Sequence, residues 1–273
     1  MQNNIFSSSQ MGVHKPIISI ITVVFNGERF IKNTIESIVG QVESCSELVV
    51  IDGASTDGTL DLIRRYSSKI DYWVSEPDNG IYDAMNKGIR AATGDYLIFL
   101  NAGDTFSDEN VLASVAEAVI SNGYPDILYG ETNVFSEKGE FVKRLVPLRF
   151  SGLNLTLFGT RVVCHQSIFV KRQSAPLYDT SFKLKGELYW YYDLLEKNRG
   201  LKSVSLPFPV ANYLLGGVGD VLFKRNFLER LKVVARKEGI FGFVLAIFSL
   251  AIPVVFRLKR ILHGIVCRNK EKK

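Results

Sequence analysis

The chain is poor in cysteine, carries no phosphate-binding glycine loop after its first apolar run, and begins without an apolar segment. Its three cysteines, Cys45, Cys164 and Cys267, lie far apart without CxxC spacing, which excludes a disulfide framework or a zinc cage of the usual pattern. Each reads as a small buried or neutral residue. Neither G-x-G-x-x-G nor a Walker A loop follows the first apolar run, where Asn26-Gly27-Glu28-Arg29 stands instead, so a dinucleotide cofactor is not expected. No repeat or low-complexity tract is visible. The first fifteen residues, with Ser7-Ser8-Ser9-Gln10, are polar and lack the core of a secretory signal, so they read as a frayed terminus of a cytoplasmic protein.

What is present is enough apolar material for a sizeable core: 47% of 273 residues, a length that fits one large domain or two small ones. Strand and helix signals alternate along the main body. Residues 17–25 form a continuous β-branched run, and 30–39 follow with Ile31, Ile35 and Ile38 at helical spacing. A second strand at 48–51 stops at Asp52, and a helix over 59–66 is capped by Thr56 or Asp57. Short strands are expected at 72–74 and 96–100, with a helix between them over 81–89 whose Ile81, Met85 and Ile89 share one face. This order predicts an α/β fold with a doubly wound, mainly parallel, Rossmann-like sheet. Asn26, Asp52, Asp78 and Asp104 each fall just after a strand, so they should gather along the edge where such sheets bind ligands.

The polar residues at that edge have definable chemistry. Asp52 can accept hydrogen bonds from a base or ribose, or serve as an ordinary turn aspartate in Asp-Gly. Asp83, Asn86 and Lys87 lie off the apolar face of their helix, free to meet a ligand or water. A carboxylate at Asp104 can hold a hard divalent cation against a diphosphate. Tyr189, Trp190, Tyr191 and Tyr192 suit either a sugar-stacking surface or a core. The glycines of residues 214–220 suit a loop that closes over a ligand.

Four blocks in order then carry a resemblance: Ile20-Ile-Thr22-Val-Val-Phe-Asn26-Gly-Glu28, Val50-Ile-Asp52-Gly-Ala-Ser55-Thr-Asp57-Gly-Thr59, Glu76-Pro-Asp-Asn79-Gly80-Ile-Tyr-Asp83-Ala-Met-Asn86-Lys87-Gly88, and Asn101-Ala-Gly-Asp104. Over roughly residues 16–220 the chain resembles the family 2 glycosyltransferases of bacterial polysaccharide synthesis, which have the GT-A fold. The resemblance implies a nucleotide-diphosphate-sugar donor, a divalent metal (Mn2+ or Mg2+) and inversion at the anomeric carbon. It implies that the first block, with Thr22, Asn26 and Glu28, holds the nucleobase and ribose together with Asp52. Ser55 and Asp57 adjoin them in the second block, where they also suit capping of the next helix. Asn79, Gly80, Asp83, Asn86 and Lys87 would face the nucleotide sugar. The metal-binding DxD-type motif reads Asn101-Ala-Gly-Asp104 here, which leaves metal ligation to Asp104 with help from His165. Cys164-His165-Gln166-Ser167 resembles the family's His-Gln block near the donor phosphates and the acceptor. The family's base is an Asp a few residues after a Phe-Lys/Arg pair. Counting from Phe182 places Glu187 there, with Asp193 in reserve.

The basic charge belongs to the end of the chain. From Leu222 onward stand thirteen of the 33 Lys and Arg residues and three of the 28 acidic ones, leaving twenty basic and twenty-five acidic residues before it. Phe223, Phe227, Leu231 and Val234 recur at helical spacing among Lys224, Arg225, Arg230, Lys232, Arg236 and Lys237, which describes a basic amphipathic helix for an anionic membrane surface rather than for nucleic acid. Residues 240–256 follow as an apolar run interrupted by Gly242, Ser249 and Pro253, about 25 Å long as a straight helix against a ~30 Å hydrocarbon core. Basic residues at both ends suit an interfacial or re-entrant segment, with a span or a buried helix as alternatives.

Three parts are therefore expected: a disordered terminus (1–15), a GT-A domain (16–220, nucleotide-binding half 16–105 and acceptor-binding half 106–220) and a helical membrane-association tail (221–273). The expected function is an inverting transfer from a nucleotide-diphosphate-sugar to a polyprenyl-diphosphate-linked saccharide, by a peripheral or monotopic protein on the cytoplasmic face of the plasma membrane. A nucleotidyltransferase on a similar sheet and a non-catalytic nucleotide-sugar-binding subunit are the alternatives.

Overall fold

A computed structural model describes residues 17–42, 45–198, 200–216 and 223–249. The first half of the chain runs β1 (Ile18–Val24), α1 (Ile31–Val39), β2 (Ser46–Asp52), α2 (Thr59–Arg65), β3 (Tyr72–Ser75), α3 (Ile81–Ala91) and β4 (Tyr96–Phe99), close to the expected boundaries. The second half adds β5 (Thr105–Phe106), α4 (Val111–Ser121), β6 (Ile127–Phe135), β7 (Phe141–Leu145), α5 (Gly152–Phe158), β8 (Ile168–Lys171), α6 (Gly186–Lys197), β9 (Ser203–Leu214) and α7 (Phe223–Phe248). The strands form one sheet in the order β3-β2-β1-β4-β8-β6-β9-β5, with β7 against β6.

The expectation of a mainly parallel sheet holds for one half only. β3, β2, β1 and β4 are parallel, but β8 runs against both β4 and β6, β7 against β6, and β5 against β9, so half of the strand pairings are antiparallel. Hydrophobic runs reveal that a strand exists, whereas its direction follows from the route of the connection before it. The consequence for function is direct: an antiparallel β8 brings its leading end, not its trailing end, to the edge where β1, β2 and β4 finish.

Both faces of the parallel half are covered, as a β-branched strand without polar alternation requires. Ile18, Ile20 and Val24 of β1, with Leu48 and Val50 of β2, pack with α1, α2 and α4 through Ile31, Ile35, Ile63 and Val115. Ile21, Val23, Val49 and Ile51 face the other way, onto α3 and α6. Trp190, Tyr191 and Tyr192 of α6 are at most 2% exposed, so three of the four consecutive aromatics are core rather than a sugar platform. Tyr178 stacks between Tyr82 and Trp190 at ring distances of 5.3 and 5.1 Å.

The basic amphipathic helix exists, but its apolar stripe is spent inside the molecule: Val233 and Val234 are buried in the core shared with α6, and Leu231 packs against it. Three of its cations are spent there too. Arg230 donates to the carbonyls of Thr156 and Leu157 at the end of α5 (2.9 and 2.8 Å), Arg236 pairs with Asp179 at 3.1 Å, and Lys237 with Asp193 and Glu196 at 2.5 and 2.7 Å. Gly239, at φ 64, ψ −158, then kinks α7. Beyond it Ile240, Phe241 and Phe248 are 85%, 75% and 67% exposed. Among the described residues no helix is long and apolar enough to cross a membrane. The expected N-terminal disorder, most of the glycine loop (217–220) and the remainder of the apolar run (250–256) lie outside the described residues.

Helix α3 meets β1 at Gly88, where a Cβ would fall 2.3 Å from Cγ2 of Ile21. Gly88→Ala should therefore lower stability by about 1–3 kcal/mol through overpacking, read as a lower midpoint in urea unfolding with an unchanged slope.

Candidate functional site

The loops after β1 and β2 are knitted into one surface. Asn26, at φ 50, donates its N–H to Ser55 Oγ at 2.7 Å and accepts the Thr56 N–H at 2.8 Å. Glu28 accepts the Gly58 N–H at 3.1 Å, and its own N–H goes to Asp57 at the same distance. Asp57 also accepts the Thr59 N–H at 3.0 Å, the capping role expected of it. Asp52 is fully buried at the end of β2 and accepts from the Ser55 hydroxyl and N–H and from Ser75 Oγ at 2.6 Å. Thr22 is buried as well and donates to the Leu100 carbonyl, so it ties β1 to the end of β4. Asp78 closes over this loop: a Cβ on Gly53 would meet its carboxylate at 2.5 Å.

A second group forms at the end of β4. Asp104 is 5% exposed, and its carboxylate accepts Gln166 Nε2 at 3.0 Å and the Leu214 N–H at 3.2 Å. Asn101 Nδ2 lies 3.1 Å from His165 Nε2. Burial lowers the His165 pKa below its ordinary 6.5 against the opposing pull of Glu187, so the ring is neutral at pH 7 and accepts this bond. His165 and Gln166 reach the site because they sit in the short turn leading into antiparallel β8. Two buried oxygens, Asn101 Oδ1 and Gln166 Oε1, have no protein partner. Buried polar atoms are ordinarily bonded, so such a pair marks a place for a polar ligand. The two groups adjoin, since a Cβ on Gly27 would lie 3.5 Å from that of Ala102.

The third group is the start of α3 with the loop before α6. Gly80, at φ 112, precedes the helix, and Asp83 in its first turn accepts the Asn79 N–H at 3.0 Å. Lys87 pairs with Glu76 and donates to the Pro77 carbonyl, both at 2.8 Å. Tyr82 donates to Glu187 Oε2 at 3.0 Å, and Lys183 Nζ reaches the Asn79 carbonyl at the same distance. Lys185 Nζ stands 3.9 Å from Glu187. Burial raises the Tyr82 hydroxyl pKa well above 10 and the charge of Glu187 adds to it, so the phenol stays protonated as a donor. Asn86 is 4% exposed and turned inward, its amide clasping the Tyr178 backbone at 2.9 and 2.7 Å. Asp193 is held by Lys237 and Lys197 on the side of α6 that faces α7, and the structure does not bring it to this cleft.

Tyr82, Lys183 and Tyr178, whose buried hydroxyl has no partner, were not among the residues singled out from the sequence. Tyr82 lies inside the block that contains Asp83, so its position was available. Lys183 is the basic member of the Phe182-Lys183 pair from which Glu187 was counted, and Tyr178 carried no pattern of its own. As for a cation, no three His, Cys, Asp or Glu side chains converge among the described residues. The oxygens of this group are the Asp104 carboxylate and the unpartnered Asn101 and Gln166 oxygens, whereas His165 Nε2 already accepts from Asn101. This set fits a hard cation that arrives with phosphate oxygens and keeps part of its water, rather than one caged by protein.

The family described as Glycosyl transferase family 2 matches residues 19–176. A PGL/p-HBAD biosynthesis glycosyltransferase of Mycobacterium bovis is 30% identical over 232 residues, which is 81% of this chain and 86% of the relative. A putative teichuronic acid biosynthesis glycosyltransferase of Bacillus subtilis, TuaG, is 33% identical over 101 residues, covering 36% of this chain and 40% of its own. Among solved structures, S. aureus TarS 1–349 in complex with UDP superposes with a TM-score of 0.61 at 16% identity, over 85% of this chain and 70% of that one. The chain spans 41% of a longer TarS structure. The mannosyltransferase PcManGT from Pyrobaculum calidifontis, in complex with GDP-Man and Mn2+, gives a TM-score of 0.59 at 16% identity, over 93% and 80% of the two chains. At these identities the structural likeness is one of fold.

Asn86→Ala should strand two buried backbone groups of Tyr178 and cost about 2–3 kcal/mol of stability, measured by urea unfolding, and Asn86→Asp should lose at least as much at neutral pH because a carboxylate oxygen would face the Tyr178 carbonyl.

Proposed function

The chain belongs to glycosyl transferase family 2, and from that membership we propose that it moves a sugar, with inversion, from a nucleotide-diphosphate-sugar to a lipid-linked saccharide in bacterial surface polysaccharide synthesis. The observation that carries the reading is Glu187, held by the Tyr82 hydroxyl at 3.0 Å, with its charge felt by His165 across the cleft. An inverting transfer needs a carboxylate on the acceptor side to take the proton of the attacking hydroxyl while the diphosphate leaves from the opposite face of the sugar. Glu187 fills the first role. On the other side, Asn26, Glu28, Asp52, Ser55 and Asp57 shape a pocket for base and ribose, and Asp83, Lys87, Asn101 and Gln166 line the path toward the phosphates. The donor half is residues 16–105 and the acceptor half 106–220.

A divalent ion, Mn2+ or Mg2+, held by Asp104 with Asn101, Gln166 and His165 beside it, would offset charge developing on the leaving diphosphate. The PcManGT complex contains Mn2+ with GDP-Man, and TarS has been seen with UDP and UDP-GlcNAc, which supports both the donor class and the metal. The saccharide acceptor is supported by relatives whose names place them in PGL and teichuronic acid biosynthesis. A lipid carrier and a location on the cytoplasmic face of the plasma membrane rest on the exposed apolar residues after Gly239, Ile240, Phe241, Val244, Ile247 and Phe248, which lie along one side of the helix. Seated in a bilayer surface, this segment would hold the cleft near a polyprenyl-diphosphate-linked acceptor and raise its effective concentration.

The test is release of nucleoside diphosphate from UDP-, GDP- and dTDP-sugars in the presence of membrane lipid extract and Mn2+ or Mg2+. Glu187→Gln should lower turnover about 10²–10⁴-fold with donor affinity retained. Pyrophosphate release would point to nucleotidyl transfer, and donor binding without turnover to a non-catalytic subunit. Titration calorimetry should show Mn2+ binding only with nucleotide diphosphate present, and chelation should abolish turnover. Phe241→Asp with Phe248→Asp should reduce co-sedimentation with anionic vesicles at least about tenfold, whereas equal binding would remove the membrane assignment.

A further inference from the structure

The loop that delivers Glu187 is held by a residue of the C-terminal helix. One oxygen of Glu229, Oε2, accepts three consecutive backbone N–H groups, from Lys183 at 3.1 Å, Leu184 at 2.7 Å and Lys185 at 3.1 Å. Three successive amides turned onto one oxygen form a concave anion-binding nest, and the positive end of α6 lies directly behind it. No side chain of the local sequence caps α6, whose first residues are Gly186 and Glu187. Glu229 is 9% exposed and comes from α7, far beyond the 19–176 stretch matched by the family. Arg225 stands 3.8 Å from its other oxygen, and the nest itself holds the first.

Around this point the chain has little freedom. Lys183, whose N–H Glu229 holds, sends its Nζ to the Asn79 carbonyl at 3.0 Å. Gly186 lets the helix start against the Tyr82 ring, since a Cβ there would lie 2.6 Å from it. Tyr82 in turn bonds Glu187 at 3.0 Å. The nest, the donor-side loop and the carboxylate are thus three points of one frame, with Glu229 fixing the point nearest the chain's turn into α6.

We propose that Glu229 is a positioning residue for Glu187: by gathering the amides of residues 183–185 it sets where the α6 carboxylate stands relative to the Asn79–Gly80 loop, so that helix α7 is part of the transfer machinery. The proposal rests on the assignment of Glu187 as the acceptor base. Glu229 touches neither substrate in this account, and it acts through the backbone of the loop. Removing it leaves three amides to water and releases the loop, with the donor pocket at β1 and β2 untouched.

The experiment compares wild type, Glu229→Ala, Glu229→Gln and Glu229→Asp in donor binding, thermal unfolding and steady-state transfer. Glu229→Ala is expected to lower kcat at least tenfold with the donor dissociation constant within twofold. Glu229→Gln, which keeps an acceptor oxygen at the same reach, should retain at least a third of kcat. Glu229→Asp, which withdraws the oxygen by one methylene, should behave like the alanine variant, and it carries the test if Glu229→Ala does not fold. A kcat within twofold of wild type for the Ala or Asp variant, beside an inactive Glu187→Gln, overturns the proposal and leaves the base assignment standing. Donor affinity falling in step with kcat also overturns it, because that is the mark of a general structural role. An active Glu187→Gln would instead remove the base assignment.

Discussion

A single buried carboxylate holds the two halves of the sheet together at the cleft. Asp104 follows β4, accepts the Gln166 amide from the turn before β8, and accepts the Leu214 N–H at the end of β9. Its own carbonyl takes the hydroxyl of Thr34 from α1 at 2.8 Å. Four segments distant in sequence are thereby fixed around one negative charge that is only 5% exposed. Such a charge is tolerated because donors reach it, and an opening at the turn before β8 or at the end of β9 would remove one of them.

Polar side chains near the strand ends are of two kinds. The loops after β1 and β2 have their carboxylates occupied by local N–H and hydroxyl donors, which preorganises their shape. Asn101 Oδ1, Gln166 Oε1 and the Tyr178 hydroxyl, by contrast, are buried without protein partners. Buried polar atoms are ordinarily bonded, so these three can take a polar ligand or water as partner. The Tyr178 ring cannot turn away from its position, stacked between Tyr82 and Trp190 and clasped at its backbone by Asn86.

Helix α7 changes character at Gly239. Before it, Val233 and Val234 are in the core, and Arg230, Arg236 and Lys237 neutralise α5, Asp179 and α6. Burial would lower the Lys237 pKa, but its bonds to Asp193 and Glu196 outweigh that and raise it, so the ammonium keeps its charge. After Gly239 the exposed side is apolar. A helix that braces the catalytic body at one end and offers an apolar surface at the other links any surface that end meets to the loop before α6.

The order of the first four strands and three helices was readable from β-branched runs and helical spacing, because burial on both faces of a parallel sheet leaves a continuous apolar record. So were the loop residues Asn26, Asp52 and Asp104, since polar side chains directly after such strands must lie on one edge. The tertiary structure alone decided the direction of β8, which carries His165 and Gln166 to that edge, and the inward turn of Asn86 and Thr22. It also set Glu187 against Tyr82 and Asp193 against Lys197 and Lys237: the two are six residues apart on one helix, and their partners come from segments that spacing does not reveal. It also packed the basic helix against the body, because Arg230, Arg236 and Lys237 among the cations that suggested lipid found carboxylates and carbonyls from distant segments. Periodicity records which residues are buried, and it holds no information on which partner buries them.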